Sequence, residues 1–251
     1  MMRSGNIAWF LALALLLAFI TAPDFFTFAF APLTEHNAPP IYNQGSLLSL
    51  TLSHLFIVFG AAFASTVIAV SLGIFVTRPS GVEFLPLSRS LVNIGQTFPP
   101  IAVLAVAVPL VGFGETPTFI ALFLYGLLPI FENTLSGITQ VSPLTLEAAK
   151  GMGMSPRGRL FGVELPLALP VILAGIRLSI IINLGTATIG STVAAKGLGE
   201  VIIAGLQSNN LAFVLQGGLV VALLAILIHG VLTRIERAAS VRLGGRSGDA
   251  L

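Results

Sequence analysis

From Leu52 to Val76 the chain carries no Asp, Glu, Lys or Arg. A helix of about 20 apolar residues covers the hydrocarbon core of a bilayer, and this run is long enough to do so. No other feature limits the fold as much. In lipid every backbone N–H and C=O must be satisfied internally, and only helices and closed barrels manage that. Five further runs are similar: Ile7 to about Ala22, Leu91 to Val111, Pro117 to about Phe131, Leu167 to about Ile189, and Leu211 to Thr233. Long alternating strand patterns, the mark of a membrane barrel, are missing. Charged residues make up 9% of the chain, against roughly 25% in soluble domains. That composition excludes an ordinary cytosolic enzyme, a disordered tail and a nucleic-acid binder. The expected fold class is all-α: a multi-pass helical membrane protein with about six transmembrane helices.

The first run has a competing reading. Arg3 followed by the apolar stretch Ile7–Ile20 resembles a signal peptide. The only small-residue cleavage pattern near its end, Ala29-Phe30-Ala31, lies too far downstream. Phe25, Phe26, Phe28 and Phe30 instead suit an aromatic belt at a membrane interface, so a retained helix is expected.

Orientation follows from basic residues in the loops. With the N-terminus inside, Arg3, Arg78, Arg89, Lys150, Arg157, Arg159, Arg234, Arg237, Arg242 and Arg246 all face the cytoplasm. Lys196 alone faces out, and Arg177 falls within the fifth run. The expectation is N-in and C-in. Pro32–Gly45, Gly112–Thr116 and Thr192–Asn210 become outer loops. Arg177 would be costly in lipid, so it is expected to face protein, water or a neighbouring acid such as Glu164 or Glu132.

The inner stretch between the fourth and fifth runs, residues 132–166, is the most informative. Ser142-Pro143 and Ser155-Pro156 each place a capping residue before a proline, a helix start. The first helix should run from Pro143 to about Lys150, ended by Gly151 and Gly153. The second should start at Pro156 and enter the membrane at Pro166. Leu144, Ala148 and Met152 fall on one side of this elbow. That side could fold back on the chain's own helix ends or enter a soluble partner's groove, and spacing does not separate the two.

Glu147-Ala148-Ala149, then Gly153, Val163 and Leu165-Pro166, stand at the spacing of the EAA loop of ABC-importer permeases, with Val163 where that motif has Ile. The resemblance implies that Glu147, Ala148, Ala149, Gly153, Val163, Leu165 and Pro166 couple the chain to a separate ATP-binding subunit. Further segments resemble the osmoprotectant branch, for glycine betaine, carnitine and choline. They are Gln96-Thr97-Phe98-Pro99-Pro100, Ala121–Pro129, Val163–Pro170, Ile182–Thr188 and Gly197-Leu198-Gly199. The likeness covers about Ser46 to Arg234. It implies a type I importer permease fold, with an additional N-terminal helix and Pro-rich loop over 1–45, the permease domain over 46–235 and a cytoplasmic tail over 236–251. It also implies a second permease copy or paralogue, an extracytoplasmic solute-binding protein and a place in the cytoplasmic (inner) membrane. An amino acid as solute, or a secondary transporter driven by an ion gradient, are the alternatives.

The remaining polar residues add expectations. No Lys follows a Gly, so Walker A is absent. No cofactor is expected in this chain, and ATP should bind to the partner subunit. Gln96, Pro99, Pro100, Asn183, Thr186 and Thr188 are candidates for the translocation pathway, with Pro99-Pro100 kinking the third span. Static kinks and interhelical hydrogen bonds are the plainer alternative. His36, His54 and His229 lack metal-ligand spacing, so no metal site is expected. Ser53-His54 has no G-x-S-x-G context, and no catalytic residue is assigned. Trp9, Tyr42 and Tyr125 are too scattered for a high-affinity cage around a quaternary ammonium, so selectivity is expected in the binding protein.

Overall fold

The computed structural model describes residues 2–35 and 37–242. His36, Arg246 and the rest of the tail beyond Arg242 lie outside the described residues, as do the side chains of Arg3 and Arg242. The helices are α1 (Met2–Thr21), α2 (Leu47–Val76), α3 (Leu85–Thr97), α4 (Pro100–Val111), α5 (Glu115–Thr139), α6 (Pro143–Gly151), α7 (Pro156–Val193), α8 (Gly199–Gln207) and α9 (Leu211–Arg242). Short helical turns fill Pro23–Leu33, and no strand occurs among the described residues.

Helices α2, α5, α7 and α9 are each long and apolar enough to cross a bilayer. Two bent pairs raise the number to six if each counts as one span: Ile7–Thr21 with Pro23–Leu33, and Val82–Thr97 with Pro100–Val111. The second pair is the expected third run, Leu91–Val111, broken at the expected kink Pro99-Pro100. The chain turns through 95° there, because Pro99 adopts φ −56°, ψ 143° and neither Pro99 nor Pro100 has an N–H to continue the ladder. The fourth run extends beyond the expected Phe131 to Thr139, and α7 begins at Pro156. The inner connection is therefore much shorter than residues 132–166. The outer stretch Thr192–Asn210 contains α8.

The chain forms two compact units. One comprises the residues up to Ala61 with Phe98–Phe123 and Ile181–Gly230. The other comprises Ala62–Thr97, Leu124–Ile180 and the residues from Val231 onward. In the first, Leu16, Phe19 and Ile20 of α1 share a core with Leu47, Leu50, Leu198, Phe213, Val220 and Leu224. The Trp9 indole donates to the Leu227 carbonyl at 3.3 Å. The Pro-rich loop is held by two buried amides. Gln216 donates to the Pro40 carbonyl (2.7 Å) and accepts from the Tyr42 N–H (3.1 Å), while Asn210 donates to the Pro39 carbonyl (2.9 Å). A loop rich in proline has carbonyls to satisfy and few N–H groups to do it.

In the second unit small residues let helices approach closely. A Cβ at Gly175 would lie 2.7 Å from the Pro129 carbonyl oxygen, so only glycine fits there. The described basic side chains fall in this unit except for Lys196.

Candidate functional site

The elbow is built by local chemistry. Pro143 opens α6, although the Ser142 hydroxyl makes no capping bond. The helix ends in a Schellman arrangement, with Gly153 N–H donating to the Lys150 carbonyl (2.9 Å) and Met154 N–H to the Ala149 carbonyl (3.1 Å). This closure needs a left-handed residue, and Gly153 supplies it at φ +79° with nothing within 4 Å of where a Cβ would stand. The Ser155 hydroxyl then caps α7, accepting from Gly158 N–H at 3.1 Å.

Ala149 faces inward, 2% exposed. Leu144, Ala148 and Met152 face outward, the first and last 76% exposed. The elbow's apolar side is thus presented rather than folded back. Glu147, Leu146 and Lys150 border a cleft of about 190 Å³ with Arg159 and Glu164 of α7.

Along α7 the helix opens into a π turn at Leu160–Glu164, where Leu165 N–H donates to the Leu160 carbonyl. Pro166 cannot donate to Gly162, four residues back, and the wider turn resets the ladder. Val163, Leu165 and Pro166 are half-buried beside it, and Glu164 is buried against Arg78. Here the structure corrects an expectation. Arg177 pairs with neither Glu164 nor Glu132; it meets Glu236 at 3.2 Å and the Thr233 hydroxyl at 3.0 Å. Glu132 is held by Arg89 at 2.7 Å. A sequence offers no distance between helices far apart in the chain, so the particular acid was not legible there.

The Gln96 amide donates to the Tyr125 carbonyl at 3.2 Å. That carbonyl lost its helical donor because Pro129 stands four residues on. Pro99 is exposed and Pro100 half-buried at the bend. Asn183 is fully buried and donates to the Leu122 carbonyl at 3.1 Å. Thr186 and Thr188 turn their hydroxyls back onto the Ile182 and Gly185 carbonyls, at 3.0 and 2.7 Å. Their methyl groups and lone pairs remain for any neighbour. His54 is buried, its Nε2 3.0 Å from the Leu184 carbonyl. No three His, Cys, Asp or Glu side chains converge among the described residues.

Long apolar helices, interrupted by a short exposed elbow ahead of the longest of them, are the mark of a polytopic membrane protein. Residues 69–241 match the family described as binding-protein-dependent transport system inner membrane component, and the chain belongs to that family. It is a permease component of the inner membrane and not an enzyme. The osmoprotectant import permease protein OsmY of Salmonella typhimurium is 39% identical over 197 residues, 78% of this chain and 84% of that protein. The choline transport system permease protein OpuBB of Bacillus subtilis is 42% identical over 201 residues, 78% of this chain and 89% of that protein. The inward-facing MetNI methionine ABC transporter has a chain of the same fold, with TM-score 0.69 and 24% identity, covering 77% of this chain and 95% of that one.

Proposed function

We propose that this chain is the permease subunit of an ATP-driven importer of osmoprotectants such as glycine betaine, choline or carnitine. The observation that carries the solute class is the identity of 39–42% to permeases named for these solutes, over 78% of the chain. Two permease subunits, identical or paralogous, would enclose the path, and an extracytoplasmic binding protein would deliver the solute.

The elbow is the coupling element. Its outward face of Leu144, Ala148 and Met152 enters a groove of the ATP-binding subunit. Ala149 seats α6 on its own chain, and Glu147 borders the charged cleft beneath. Gly153 sets the angle between α6 and α7, and Val163, Leu165 and Pro166 form the root that carries the motion into α7. ATP binds to the partner, because this chain has no phosphate loop. The break at Pro99-Pro100 supplies a gate, and Gln96, Asn183, Thr186 and Thr188 set the polarity of the path. Residues 46–235 form the permease domain, and 1–45 add a helix and an outer loop.

The test is uptake of radiolabelled choline and glycine betaine by vesicles holding the chain, its ATPase and its binding protein. Uptake should require ATP and survive ionophores that collapse ion gradients. Loss of uptake with the gradient would favour a secondary transporter. Import of methionine in place of choline would move the chain to an amino-acid importer.

A further inference from the structure

Where the start of α5 approaches α2, a cavity of about 330 Å³ is bordered by Phe56, Ile57, Gly60, Glu115, Thr116 and Phe119. Among the described residues its border thus carries two phenyl rings and one carboxylate, and no Lys, Arg or His. Phe56 is 78% exposed, an unusual position for an apolar ring unless it faces lipid, another chain or a ligand. Glu115 is the first residue of α5, so the carboxylate stands at the outer end of that helix. Gly60 leaves room, since a Cβ there would already lie 3.6 Å from Phe119 Cε2.

A quaternary ammonium has a charge and no N–H to donate, so hydrogen bonds cannot recognise it. Aromatic rings together with a carboxylate can. We propose that this cavity is a low-affinity binding site for a quaternary ammonium group. Two rings and an open mouth suit brief occupancy, unlike a closed cage. With no basic group on the border, a cation such as choline binds better than glycine betaine, whose own carboxylate meets Glu115. The group could come from a free solute or from a phosphocholine headgroup. The proposal rests on the osmoprotectant reading only for the transported solute, since the site's chemistry stands apart from it.

The experiment is saturation-transfer NMR on the purified full chain in maltoside detergent, with tetramethylammonium and choline as probes. The neutral isostere 3,3-dimethyl-1-butanol is the control. Saturable transfer is expected to both cations, weaker by roughly two- to five-fold in Glu115→Gln and in Phe119→Leu, and lost when Gly60→Leu fills the space. Glu115→Gln changes an exposed residue and decides the matter if either other variant fails to fold. Equal transfer to the neutral alcohol, or transfer unchanged by Glu115→Gln, overturns the proposal. Displacement of tetramethylammonium in phosphatidylcholine vesicles but not phosphatidylglycerol vesicles identifies a headgroup. A raised KM for choline uptake in Glu115→Gln with kcat unchanged identifies the free solute. If the wild-type chain binds tetramethylammonium but its importer takes up no choline, the osmoprotectant reading fails and the site stands.

Discussion

Arg78, just past the end of α2, grips Glu164 through both guanidinium Nη atoms, with Nη1 3.1 Å from Oε1 and Nη2 on Oε2. Glu164 lies between Val163 and Leu165, in the middle of the motif that roots the elbow. The pair links the π turn of α7 to the turn that follows α2, within one compact unit.

Removing Arg78 should therefore cost more than a surface ion pair. Breaking a buried pair costs about 3–5 kcal/mol, and the 26% exposure of the Arg78 side chain brings the expectation to about 2 kcal/mol. Arg78→Ala should lower the thermal unfolding midpoint in detergent. Arg78→Ala combined with Glu164→Gln should recover much of the loss, since no buried charge is then left unpaired. Arg78→Lys should recover only part, because an ammonium cannot make the two-pronged contact. Equal midpoints for Arg78→Ala and wild type would show the pair to be inconsequential.

Gly153→Asp should uncouple ATP hydrolysis from uptake while the subunit still inserts. A side chain at φ +79° costs about 1–2 kcal/mol in the left-handed region, and the carboxylate would also be buried at the partner's surface. Asn and Asp tolerate that region better than other non-glycine residues, so Gly153→Asn should retain more coupling than Gly153→Val, and the charge should set Gly153→Asp below Gly153→Asn. The measurement is the ratio of solute imported to ATP hydrolysed, with co-purification of the ATPase as control. Wild-type import by Gly153→Asp with the ATPase bound would remove the elbow from the coupling path.

Gln96→Leu should destabilise by about 0.5–1.5 kcal/mol, the net worth of its hydrogen bond to the Tyr125 carbonyl. Pro129 has no N–H to offer that carbonyl four residues back, and Gln96 supplies one. Pro129→Ala restores that donor, so the same Gln96→Leu change should cost much less in a Pro129→Ala background. Denaturation midpoints of the four chains close the cycle. Additive effects would sever the link between Gln96 and Pro129.

Single cysteines at Arg157 and Ser240 should react only from the cytoplasm, and those at Asn37 and Asn209 only from outside. The chain has no native Cys, so no background needs removing. Labelling of the Arg157 position from outside would invert the topology and take the elbow away from any ATPase.

Replacing Trp9, Tyr42 or Tyr125 by Ala should leave the ranking of solutes unchanged. Trp9 bonds to Leu227, and Tyr42 is 6% exposed with its ring 5.3 Å from Phe213, so both serve packing. Burial, then the nearby Glu200 carboxylate, raises the Tyr42 pKa above its ordinary value of 10.0. The folded state thus favours the neutral phenol. That contribution is complete below pH 10 and is lost as pH rises through the folded value, so Tyr42→Phe should flatten the alkaline fall in stability. Competitive uptake of choline and glycine betaine checks the ranking, and an altered order in any of the three variants would refute it.

Composition and short-range order determined a good deal of this protein. An apolar run of 20 or so residues becomes a helix in lipid wherever it stands, and basic residues sort to one side whatever their partners. The elbow was equally legible: Pro143, Gly153, Ser155 and Pro156 act through bonds within a few residues, so α6 ends where glycine allows the left-handed turn. Packing decided the rest. Proline lies inside the continuous helices α5 and α7, at Pro129 and Pro170, yet the chain turns through 95° at Pro99-Pro100. The paired prolines marked the place of the break in the sequence, but residue type did not give its angle. Arg177 found Glu236, and Arg78 found Glu164 across 86 residues. Phe56 and Phe119 came to border one cavity with Glu115. Ion pairs and cavities depend on distances between helices, and those distances are set by how small and large side chains interlock across faces that no local pattern brings together.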